Sequence, residues 1–176
     1  MKKTCIINTI LIFSLCFMTH FGYNKFPNDF TAIFFPVNES IWEHMKMLFT
    51  TILLFHTIRK IYLYYKKIET NNYIIGTFIS ALLAIPIYLV IFLPLYYSIG
   101  ENMIITFIIL FITILISEYI NYKIQEKENI KYGNTIAIVG VIISYIIFSI
   151  LTYNPPKYDL FFDTEEEKYG INHYNI

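Results

Sequence analysis

The chain has 176 residues, 56% of them apolar and 15% charged, with 13 basic against 13 acidic side chains and a net charge of zero. Intrinsic disorder is excluded, because it requires few apolar residues and many charges, and a neutral chain offers no electrostatic footprint for nucleic acid. Soluble domains carry roughly 25% charged residues; here the charges are too few to coat a surface, so the expected solvent and first partner is a lipid bilayer.

A membrane-spanning helix needs about 20 mostly apolar residues. Five stretches qualify, at about 4–21, 41–65, 73–98, 103–120 and 135–153. Their apolar runs are continuous rather than alternating, which reads as helix and not strand. The expected fold is therefore all-α. Residues 1–153 form a bundle of five transmembrane helices, and 154–176 form an amphiphilic tail.

The first span opens like a signal peptide, with Lys2 and Lys3 before an apolar run, but Met18-Thr19-His20-Phe21 lacks the small residues of a cleavage site. It is read as a retained helix. Cys5 and Cys16 lie eleven residues apart on it, about 16 Å along a helix, and cannot bridge. Direction follows the basic residues. With the N-terminus inside, the inner side holds Lys2, Lys3, Arg59, Lys60, Lys66, Lys67, Lys123, Lys127 and Lys131, and the outer side only Lys25, Lys46, Lys157 and Lys168.

The second span opens with Pro36-Val37-Asn38-Glu39-Ser40-Ile41-Trp42-Glu43-His44-Met45-Lys46. Ser40 and Glu43 have the spacing of a reciprocal capping box. Asn38 is an alternative cap, with Val37 and Trp42 as a hydrophobic staple. Trp42 suits the interfacial aromatic belt. Glu39, Glu43 and Lys46, spaced four and three apart, would share one helix stripe, with His44 pointing elsewhere. His20 ends the first span at the same depth. Together His20, Glu39, Glu43 and His44 are the candidate carboxylate–imidazole ligands of a divalent metal, although no zinc signature such as H-E-x-x-H is present. Below them, His56 is expected to hydrogen-bond a neighbouring helix, and Glu118 to meet Arg59, Lys60 or the basic loop. The third span contains Pro86 and Pro94, which free the carbonyls of Leu82 and Val90.

The tail begins at Pro155-Pro156-Lys157, which stops the fifth helix. Leu160-Phe161-Phe162 then supplies an apolar anchor. Asp163 or Thr164 is expected to cap a helical turn over 165–169, ended by Gly170. This order of anchor, cap and stop places the tail against the outer face, beside the Asn38–Lys46 motif.

These segments resemble a family of small bacterial multi-pass membrane proteins of unknown function. The resemblance rests on Pro36-Val37-Asn38-Glu39-Ser40-x-Trp42-Glu43-His44-x-Lys46, on Thr19-His20-Phe21-Gly22-Tyr23, and on Pro155-Pro156-Lys157-x-x-Leu160-Phe161-x-Asp163 followed by Tyr169-Gly170-Ile171. Glu165-Glu166-Glu167 departs from the less acidic, Pro-containing turn expected there. The resemblance implies a bacterial inner-membrane protein and no activity.

The chain contains no nucleotide loop and no nucleophile–base signature. That favours a non-enzymatic accessory or interaction protein without a cofactor, working with a membrane-protein partner or a second copy of itself. The alternatives are a metal-dependent membrane enzyme using His20, Glu39, Glu43 and His44, or a small-solute transporter around the Pro86/Pro94 helix and His56. The charge asymmetry makes a direct prediction: a reporter active only outside the cytoplasm, fused after Ile176, is active. Activity only of a cytoplasmic reporter at that junction would invert the topology.

Overall fold

The computed structural model describes residues 3–100 and 102–171. Lys2, Glu101 and the last five residues of the tail, His173 among them, lie outside the described residues. Four long apolar helices are present: α1 (Lys3–His20), α5 (Tyr73–Ile99), α6 (Met103–Gln125) and α7 (Gly133–Tyr153), each long and apolar enough to cross a membrane. The chain is a multi-pass membrane protein. Two short helices, α2 (Gly22–Lys25) and α3 (Asp29–Phe34), precede α4 (Ile41–Tyr65).

The 25 residues of α4 give about 37 Å at 1.5 Å per residue, long enough to cross. Its charges at Glu43, Lys46, Arg59 and Lys60 keep it out of the apolar set, so four helices, not the expected five, qualify by composition. Yet α4 is central. It packs on α1 and α5, while α6 closes the ring by packing on both α1 and α5; α7 lies outside this ring, against α5 and α3. The ring's interior is filled by Ile12, Leu48, Ile52, Ala81, Ala84 and Ile114, all fully buried.

The fourth expected span stops too early at residue 120. Asn121 is polar but buried, its Nδ2 lying 3.1 Å from His56 Nε2 and its Oδ1 accepting from Gln125 Nε2 at 2.8 Å. With its polar atoms satisfied inside the bundle, the helix continues to Gln125. Pro86 and Pro94 are both absorbed within an uninterrupted α5. Cys5 and Cys16 are free and buried.

At the end of the bundle away from the Asn38–Lys46 motif, His56 Nε2 meets Glu118 Oε1 at 2.6 Å, and Asn8 Nδ2 donates to Glu118 Oε2 at 2.7 Å. Tyr73 donates to the His56 carbonyl and lies 3.0 Å from His56 Nδ1. Glu118 thus meets His56 and Asn8, not the expected Arg59, Lys60 or basic loop. Instead Arg59 and Lys60 lie over the Tyr73 ring, and Lys60 also bonds Thr70. The reason is charge compensation inside the ring: a carboxylate buried there must be met by donors that are buried with it.

The tail is ordered differently from expectation. A short 3₁₀ turn (Asp159–Phe161) packs on α4, and two strands, β1 (Phe162–Asp163) and β2 (Lys168–Tyr169), form an antiparallel hairpin in place of a helical turn. Asp163 caps the hairpin turn, accepting from the Glu165 and Glu166 amides at 2.8 and 3.1 Å. Gly170, at φ 63°, ends it; an added Cβ would stand 2.6 Å from the Thr152 carbonyl and 2.9 Å from Pro155. Phe161 is buried against Trp42, ring centroids 5.1 Å apart.

Burying one large apolar side chain contributes roughly 1.5–3 kcal/mol. Replacing Leu160, Phe161 and Phe162 together with Ser is therefore expected to release the tail. Limited proteolysis of the purified protein should cut the variant after residue 157 well before wild type, with the helices left intact. Equal cutting would show that the tail is not anchored.

Candidate metal centre

Three elements converge where α1 ends and α4 begins. Ser40 is the N-cap of α4, its hydroxyl accepting from the Glu43 amide at 3.4 Å. Only half of the expected capping box forms, because the Ser40 amide donates to Asn38 Oδ1 and not to Glu43. The Trp42 ring packs on Phe148 and Phe161.

The Glu43 carboxylate turns inward to a fully buried ion pair with Lys46, 2.6 Å apart. The pair is completely satisfied. Lys46 donates to the Ala32 carbonyl at 2.7 Å and to Thr152 Oγ1 at 2.8 Å; Glu43 accepts from the Val37 amide at 3.1 Å and from Thr152 Oγ1 at 2.8 Å. Glu43 is therefore not available as a metal ligand, contrary to the sequence reading. Thr152, at the last turn of α7, was not singled out from the sequence; nothing in its local pattern marks it.

Glu39 does not share a stripe with Glu43 and Lys46, because the helix begins only at Ile41. Its backbone is held by the tail: the Glu39 amide donates to Asp163 Oδ2 at 3.0 Å, and Asp163 is fully buried. Asn38 Nδ2 donates to the Gly170 carbonyl at 3.0 Å. Held from outside the helix, the Glu39 side chain reaches both histidines. Its Oε2 lies 3.2 Å from His20 Nε2 and 3.3 Å from His44 Nε2, and the two Nε2 atoms are 3.1 Å apart. Of the four candidate ligands, His20, Glu39 and His44 meet, and Glu43 does not. Pro155 lies beside Gly170, and Lys157 is exposed.

The protonation logic of this triangle is informative. His44 Nδ1 lies 3.0 Å from the Ser40 carbonyl, which only accepts, so that nitrogen carries the proton. A neutral His44 then turns a lone pair at Nε2 toward a carboxylate oxygen and a second imidazole. The two imidazoles hold the Glu39 carboxyl well below the usual carboxylate range, the His20 bond contributing most, so Glu39 is an anion at neutral pH. If His20 carries its proton on Nε2, it donates to Glu39; if on Nδ1, all three atoms face one another as acceptors and would take a proton or a metal ion between them. Ligands about 2.0–2.2 Å from a four- or six-coordinate ion stand roughly 2.8–3.6 Å apart, which brackets the observed separations. The Ser40 carbonyl behind His44 is the kind of outer partner that would fix the tautomer of an imidazole holding a metal.

The triangle borders an open-mouthed cavity of about 350 Å³ lined by α1, α4, α5, α6 and the tail. Its walls include Phe92, Phe107 and Leu110, which were not identified from sequence because apolar residues within spans carry no mark of lining a void.

A family of unknown function (DUF6512) matches residues 1–171, and the chain belongs to that family. No curated protein and no solved structure matches it.

Breaking a buried ion pair by removing one partner costs about 3–5 kcal/mol, whereas replacing both partners with apolar groups of similar volume is often neutral. Glu43→Gln and Lys46→Met, each alone, are expected to lower the midpoint of thermal unfolding strongly. The double variant Glu43→Leu with Lys46→Met should recover most of the loss. Additive losses in the double variant would mean that the two side chains act independently.

Proposed function

We propose that the protein is a metal-dependent membrane enzyme whose divalent transition-metal ion is held by His20 Nε2, His44 Nε2 and Glu39 Oε2. The observation that carries this reading is the convergence of three potential ligand atoms to within 3.1–3.3 Å of one another beside a cavity. Two imidazoles and one carboxylate are a donor set common to metal sites that keep coordination positions open. A structural site closes its coordination sphere with four protein ligands; here the described residues bring together three. Such an ion supplies Lewis acidity toward a bound water or carbonyl.

Within this reading α4 is a fifth membrane crossing, made possible because Glu43 and Lys46 neutralise each other inside the bundle. The charge asymmetry supports an N-terminus inside and a metal centre at the outer face, and the family resemblance supports the bacterial inner membrane. Asp163 acts as a positioning residue, through the Glu39 amide. The non-enzymatic accessory role expected from sequence differs from this reading in one respect that is easily measured, because it requires no metal.

The test is metal content of detergent-purified protein, together with thermal unfolding with and without chelator. Wild type is expected to hold about one zinc-like ion per chain and to lose stability when it is stripped. His20→Ala, His44→Ala and Glu39→Gln should each lose the ion and the chelator response. Asp163→Asn should weaken binding by about 10–100-fold, as loss of an outer-shell partner does. Wild type without stoichiometric metal, and with one unfolding midpoint in both conditions, would overturn the enzyme reading and leave the accessory role.

A further inference from the structure

We propose that the molecule presented to this centre is a lipid of the surrounding outer leaflet, with one hydrocarbon chain in the cavity and a neutral or zwitterionic headgroup against the metal. The inference rests on the metal reading above and adds the substrate class. Three features of the cavity carry it.

The first is the segregation of its lining. His20, Glu39 and His44 stand at one end, and the walls descending from them are Tyr88 and Phe92 on α5 with Phe107 and Leu110 on α6. The hydroxyl of Thr106, also in the wall, donates to its own helix at the Asn102 carbonyl. Tyr96 also lines the space, but along the stretch of Phe92, Phe107 and Leu110 a polar solute would leave its hydrogen-bonding groups unpaired, and a hydrocarbon chain would not. From Met103 to Leu110 the lining runs seven residues down α6, about 10 Å into the membrane-spanning part of that helix.

The second is that the cavity is blind. One turn below its deepest lining residues, Ile12, Ile52 and Ile114 are fully buried, and beneath them the His56–Glu118–Asn8 cluster closes the ring. A closed floor suits a molecule that enters and leaves by the same mouth. It does not suit a solute crossing the bundle. A volume of about 350 Å³ lies at the small end of the range for ligand pockets, about 300–1,000 Å³.

The third is the charge of the mouth. Asp159 and Glu165 of the tail border the same cavity as Glu39. These acids repel an anionic headgroup and leave a neutral or zwitterionic one unopposed.

The test uses full-length, metal-loaded protein in phosphatidylcholine nanodiscs and a long-chain alkyl hydroxamate carrying a mid-chain diazirine. Its hydroxamate stands in for the headgroup oxygens at the metal. After irradiation, labelled positions are read by peptide mass spectrometry. The lipid-facing residues Ile143, Ile147 and Ile150 of α7, all exposed, report labelling from the bulk bilayer. The expected result is labelling of 85–96 and 103–110 above the α7 level, falling to that level with chelator and in His44→Ala. Leu110→Trp, which fills the cavity, should abolish the excess while retaining metal. Acetohydroxamate, which has the metal-binding group and no chain, should compete poorly at equal concentration. Labelling no higher than that of α7 in a sample with one ion per chain would overturn the lipid and leave the metal centre standing. Equal competition by acetohydroxamate would show that the occupant is a small soluble molecule. A sample without bound metal would overturn both readings.

Discussion

The structure at the motif end depends on one interaction, the buried ion pair of Glu43 and Lys46. Two charges removed from water each cost several kilocalories per mole unless every hydrogen-bonding position is filled. Here the Ala32 carbonyl, the Val37 amide and the Thr152 hydroxyl fill them. These three partners come from α3, from the loop before α4 and from the end of α7, so satisfying the pair also fixes where those segments lie. The loop can then lead only one way into α4. Ser40 becomes the cap, Glu39 stays outside the helix, and His44 faces His20.

The tail completes what the ion pair begins. Asp163 holds the Glu39 amide, Gly170 offers its carbonyl to Asn38, and Phe161 covers Trp42. Each contact joins residues more than a hundred positions apart in the chain, so the geometry at the motif end is a product of the whole fold. A second polar cluster, around His56 and Glu118, closes the opposite end of the same four-helix ring. The apolar cavity lies between these two well-bonded polar layers. The interior of the ring is thus held by polar bonding at both ends and left open near the triangle.

Much of this was legible in the sequence. The span limits agree with the helices to within a residue or two at most ends, because continuous apolar runs bounded by Asn, Gly and Lys leave little freedom. Ser40 as cap and Phe161 as anchor were readable from residue type and spacing, whereas Gly170, read as the end of a helical turn, closes a hairpin. His20, Glu39 and His44 were recognised as candidate ligands. What could not be read was how the charged residues divide. Glu43 and Lys46 pair with each other, and Glu39 leaves the stripe, because the helix starts one residue after Ser40 and α7 brings Thr152 to the pair. Local periodicity contains nothing about α7. The same limit explains Glu118, whose partners on α1 and α4 are far away in sequence, and the hairpin, where Asp163 bonds amides of a turn that was read as helix. It also explains Asn121, whose polarity ended the expected span although its partners lie inside the bundle.

The claim on which the account turns is that His20, Glu39 and His44 bind one metal ion together. X-ray absorption at the zinc edge of the loaded, purified protein tests it most directly. The account predicts a first shell of nitrogen and oxygen at about 2.0–2.2 Å, with the outer-shell scattering of two imidazole rings. A shell containing sulfur at about 2.3 Å, as Cys16 in the cavity wall would give, or a shell of oxygens without imidazole scattering, would contradict it.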